Sequence, residues 1–159
     1  MIKLVKVVLQ CVSKPFAMDE FSFNSSGLDY DFYFGRDEGN SSFKVNSETV
    51  YEYYGGDHKF KNENVRVKVP TFKEFPIDIL FGDGRKVSVS RAKSQKGSDT
   101  KYDIHLNNEC LCKLTVTVPI FSFKKLYQLE IYATEQDCID VSLFSLGFSF
   151  VHMNYSTGI

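Results

Sequence analysis

Tryptophan is absent from this chain, proline and cysteine occur four times each, and charges of opposite sign almost cancel. Each scarcity excludes something. Four cysteines, Cys11, Cys110, Cys112 and Cys138, are too few for a disulfide-built scaffold of this length. Few prolines and glycines argue against a low-complexity or collagen-like chain. Nineteen basic against twenty acidic side chains give a net charge of −1, so the whole molecule has no general attraction for nucleic acid or anionic membrane. Any anion site must be local. No apolar run approaches the roughly 18 residues that a membrane-spanning helix needs. At the N-terminus Lys6 interrupts the apolar residues, and Val7 to Leu9 is too short for the core of a signal peptide. That segment reads as a first strand, and the expected location is cytoplasmic. Sequons at Asn24, Asn40 and Asn154 matter only in a secreted chain.

What the chain does have is aromatic residues. Fifteen Phe and nine Tyr make up 15% of its 159 residues, and such side chains favour pleated, half-buried surfaces. A chain of this length can bury a sizeable core as one domain, and no composition shift divides it, so residues 1–159 are read as a single domain. Apolar residues recur at every second position between clusters of Gly, Asn, Asp and Ser. Strands are expected over 3–12, around Phe21 and Phe23, over 30–34, and from Phe43 and Val45 on into 49–54. Others are expected over 65–69, 77–81, 86–91, 101–106, 111–118 and 126–132. Asp83-Gly84 predicts a hairpin with positive φ at both central residues. Residues 92–100 lack apolar periodicity and read as a mobile loop. The sum is about nine or ten short strands, the pattern of an antiparallel β barrel or sandwich. Residues 139–153 are apolar on nearly every side and must be buried. Their periodicity fits a helix N-capped by Asp137 or Asp140, and the alternation from Phe144 to Phe150 fits a strand equally well.

No catalytic motif is present. Ser145-Leu146-Gly147 lacks the first glycine of a nucleophile elbow, and no glycine-rich loop leads into Lys and Ser or Thr. His105 stands near Cys110 and Cys112, but zinc sites supply two ligand pairs and this chain has one. On a strand the two thiols point to one face, where they fill core and stand too far apart to bond. His58, in a Gly-Asp turn, is expected at the surface. No metal or cofactor is expected, and catalysis is left to carboxylates assembled in space.

One pattern points to a ligand. Basic residues interleave with apolar ones at Lys59, Lys61, Arg66 and Lys68, then Arg85, Lys86 and Arg91. Such a rim suits the phosphates of anionic lipid headgroups, whereas the nucleic-acid signal is weak. The plain alternative is that these are the outward halves of amphipathic strands. A second reading is a protein-interaction factor, such as an inhibitor or accessory protein of viral or mobile-element type. Its anchors would be exposed aromatics at Tyr51, Tyr53 and Tyr54.

The stretch from Phe34 through Gly39-Asn40 to Val45 resembles hairpins of the tubby C-terminal-like group, which includes LURP-one-related proteins and scramblases. Gly82-Asp83-Gly84-Arg85-Lys86-Val87 is similar to another. Tyr127 to Ile131, followed by apolar 139–155, stands where that group has a strand and its core helix. The resemblance covers most of residues 28–155. It implies a closed antiparallel barrel around a hydrophobic helix, and binding of lipid headgroups or a protein partner through surface Lys and Arg rather than catalysis.

Overall fold

The computed structural model describes residues 5–12, 20–26, 29–70, 75–92, 99–117 and 124–153. They form β1 Val5–Val12, β2 Glu20–Ser26, β3 Phe32–Asp37, β4 Asn40–Val45, β5 Glu48–Tyr54 and β6 Asp57–Phe60. There follow β7 Glu63–Lys68, β8 Ile77–Leu80, β9 Lys86–Arg91, β10 Asp99–Leu106, β11 Glu109–Thr117 and β12 Lys124–Ile131. The chain then enters α1 Gln136–Phe148, prolonged by a π-helical turn over Ser149–Met153.

The strands build one twelve-stranded sheet in the order β2-β1-β12-β11-β10-β9-β8-β7-β6-β5-β4-β3, and every ladder is antiparallel. From β3 to β12 each strand pairs with its neighbour in sequence, and the N-terminal hairpin is added against β12. Turn chemistry explains the meander. Two-residue loops at Glu38-Gly39, Asn46-Ser47, Gly55-Gly56, Lys61-Asn62 and Asn107-Asn108 all carry positive φ at both positions, the condition for hairpin turns whose twist matches the sheet. The loop at Gly82-Asp83-Gly84 departs from expectation. Only Gly84 (φ 91°) is left-handed there, and Phe81 and Arg85 pair across a three-residue loop. Asp83 instead folds its carboxylate onto the Arg85 amide at 3.0 Å, a local bond that a two-residue turn has no room for.

Residues 136–148 are helix, which resolves the open reading of the apolar segment. Its interior stretch from Ile139 to Phe148 is buried on every side, because the sheet curves around it. Phe144 meets Tyr51, Phe60 and Phe81 edge-on at 5.3, 5.5 and 5.4 Å. Phe150 meets Phe34 at 4.9 Å, Phe43 at 5.8 Å and Tyr127 at 5.0 Å, so one ring touches β3, β4 and β12. The edge strands β2 and β3 come together, but no ladder joins them among the described residues. Among the described residues the sheet is thus not closed into a barrel by hydrogen bonds, and the helix packs inside its curve as the core.

Serines tolerate this burial by bonding to their own helix. Ser142 donates to the Cys138 carbonyl at 2.8 Å and Ser145 to that of Val141 at 3.0 Å. Neither Asp137 nor Asp140 caps the helix. The N-cap position is Glu135, whose side chain makes no capping bond to the helix amides, and both aspartates are instead drawn to cations of the sheet. Cys110 and Cys112 do not share a face either. A register shift opposite Ile104 and His105 makes Leu111 an extra residue, leaving Cys110 exposed and Cys112 buried. Most of the expected loop, residues 93–98, lies outside the described residues.

Candidate functional site

The outer face of β6 to β9 gathers part of the predicted basic rim. Strand alternation turns Val65 inward and Arg66 and Lys68 outward, both exposed. Register sets Arg66 opposite Leu80, and Leu80 opposite Lys86, so Arg66 and Lys86 flank one leucine across three strands. Lys68 lies opposite Asp78, whose carboxylate is 3.8 Å from the Lys86 ammonium. Beside these cations a cleft of about 340 Å³ is lined by Asn64, Arg66, Leu80, Phe81, Gly82 and Gly84. Lys59 adjoins the group from β6, opposite Asn64, with its ammonium 6.0 Å from the Tyr54 ring centre. Among the described residues neither Arg66 nor Lys68 makes an ion pair. Val69, next in the chain, is 54% exposed.

Lys61 and Arg85 are employed differently. Lys61, at a left-handed φ of 47°, donates to Asp140 at 2.5 Å. Asp140 also accepts from Gln136 at 2.9 Å. The hydrogen bond to Asp140 holds the Lys61 ammonium above the usual lysine range. Arg85 pairs with Asp83 at 2.7 Å and with Asp137, while its guanidinium lies over the Phe81 ring. These two cations tie the entry of α1 to the sheet. Backbone and side-chain donors of Arg85 hold the Asp83 carboxyl below the usual range. Arg91 stands at the far end of β9, in register with Tyr102 and apart from the cluster.

The predicted aromatic anchors divide. Tyr51 is fully buried against α1, which corrects its assignment to the surface: it faces inward on β5 and shares a hydrogen bond of 2.8 Å with His58 Nδ1. Burial pushes its phenol far above the usual tyrosine range. His58 is half-buried in consequence, not exposed as the turn implied. Tyr53 shares the inward face and is half-buried, and only Tyr54 is open, at 57%. Sequence reasoning passed over Tyr33, which is 59% exposed. Its signal was present, since Phe32 and Phe34 claim the inner face of β3 and leave Tyr33 the outer one.

Among the described residues no group of His, Cys, Asp and Glu stands close enough to hold a metal ion, and no helix is long and apolar enough to cross a membrane. No family profile, curated protein or solved structure matches the chain.

Proposed function

We propose that this protein is a non-enzymatic binding module of the tubby C-terminal-like kind that holds anionic lipid headgroups on the outer face of β6 to β9. The observation that carries the reading is the cluster of Arg66, Lys68 and Lys86, to which Asp78 is the one carboxylate paired among the described residues, next to an exposed Val69. Cations beside an apolar tip suit a surface that meets phosphates at the boundary of a bilayer. The family assignment is supported by the antiparallel sheet wrapped around an apolar C-terminal helix. This reading puts the protein at the cytoplasmic leaflet, whose anionic lipids attract basic surfaces.

Flotation with phosphoinositide-containing vesicles tests it at two salt concentrations. Binding should weaken at the higher salt, because exposed charges are screened there. Each cation near such a surface contributes about 1 kcal/mol, so reversing Arg66 and Lys68 to Glu should cost at least about 2 kcal/mol, or about thirtyfold. Arg91→Glu, remote from the cluster, should change little. Unchanged flotation of the double variant would sink the site.

A further inference from the structure

The outer face of β3 to β5 carries a second concavity, built from different residues. Its volume is about 200 Å³, and Tyr33, Gly35, Asn40, Ser42, Glu52 and Tyr54 line it. Register explains its shape. Gly35 lies opposite Ser42, and Ser42 opposite Glu52, so the floor is a row across three strands in which the first two residues carry almost no side chain. Tyr33 stands two residues before Gly35 and Tyr54 two residues after Glu52, on opposite sides of that row. Tyr33 leans over the floor: a Cβ at Gly35 would lie 2.6 Å from its hydroxyl oxygen.

We propose that this cleft binds a neutral pyranose ring. Phenol faces more than half exposed are surfaces on which the C–H face of a sugar packs by dispersion and loss of water. Tyr33 covers Gly35 with its own ring, so the open part of the floor is the small Ser42 beside that phenol, where a sugar ring can settle. The Asn40 amide, the Ser42 hydroxyl and the Glu52 carboxylate offer donors and acceptors that match sugar hydroxyls. Asn40 is fixed for this by accepting from the Gly55 amide at 3.2 Å. The charges around the phenols argue for neutrality. Glu52 is the carboxylate of the cleft, whereas Arg36 at its edge sends its guanidinium inward to the Phe150 carbonyl at 2.9 Å. The Lys44 and Lys59 ammonium groups stand 6.0 Å from the Tyr33 and Tyr54 ring centres, where they repel a cation that would otherwise favour two tyrosines and a glutamate.

The full chain is titrated by amide NMR with the methyl glycosides of glucose, mannose, galactose and N-acetylglucosamine, with choline as the cationic comparison. At least one glycoside should give saturable shifts at the amides of 33–36, 40–42 and 52–54, and choline none. Tyr33→Ala and Tyr54→Ala should each weaken binding by about tenfold at an unchanged melting temperature. Gly35→Ala, whose new methyl displaces the end of the flexible Tyr33 side chain, should weaken it too. The inference is overturned if no glycoside gives saturable shifts there, if choline does so instead, or if the tyrosine variants bind as the parent does. Vesicle binding through Arg66 and Lys68 is a separate measurement, so either site can fail alone.

Discussion

At Gly147 the helix backbone packs directly against β4 and β5, and replacing it sets two known effects against each other. It is the penultimate residue of α1, and a Cβ there would stand 2.9 Å from the Tyr51 Cβ and 3.1 Å from the Phe43 Cβ. Both neighbours are first side-chain atoms on β5 and β4, so neither can swing away. Alanine gains about 1 kcal/mol over glycine in a helix interior. Overpacking a filled core costs about 1–3 kcal/mol. Gly147→Ala should therefore lose up to about 2 kcal/mol despite its better helix propensity. For a chain of this size that is a fall in melting temperature of up to about 8 °C. Gly147→Val adds two branches at the same point and should lose more than about 3 kcal/mol. Ser145→Ala is the control, since it removes a hydroxyl bound within the helix and should stay within about 0.5 kcal/mol. Urea denaturation followed by circular dichroism measures all three. A stabilised Gly147→Ala would refute the close approach.

Lys61→Met strips Asp140 of its cation. Breaking a fully buried pair costs about 3–5 kcal/mol, and here water reaches both partners, so urea denaturation should show a loss of about 2 kcal/mol. Lys59→Met, which breaks no ion pair among the described residues, should fall within about 0.5 kcal/mol of the parent. Burial pushes the Cys112 thiol from 9.0 to about 12 and, with Glu130 beside it, the Tyr132 phenol from 10.0 to about 12, while Asp140 raises Lys61. All three hold their protons more tightly when folded, so their contributions are complete below pH 9 and are lost as pH rises through 12. Melting temperatures should fall steadily across that interval, and a flat profile would contradict the sign. Iodoacetamide labelling, mapped by peptide mass, should modify Cys110 in the native protein and reach Cys112 only on unfolding.

Alternation carried most of the fold. In β7 the inward Val65 and outward Arg66 and Lys68 stand where period two puts them. The failures have local physical causes. Bulges are invisible in a pattern of apolar residues, and those between Phe43 and Lys44 and beside Leu111 displaced the expected faces of β5 and β11. Tyr51, Tyr53 and Tyr54 could never all be exposed, because adjacent strand residues face opposite ways. The helix was ambiguous because a core helix enclosed by sheet has no polar face, which erases the signal that separates period 3.6 from period 2. Lys61 and Arg85 looked like free surface cations, since their partners Asp140 and Asp137 lie 79 and 52 residues away in the chain.

Phe150 also sets an order of events during synthesis. Strands β3 to β12 pair with sequence neighbours and can zip as they emerge, yet the ring that joins Phe34 to Tyr127 is made only after all of them. Until then the growing chain presents a trough of Phe and Tyr faces with nothing to fill it. The protein depends most on protection from aggregation just before its helix arrives, when nearly all of its strands exist and its core does not.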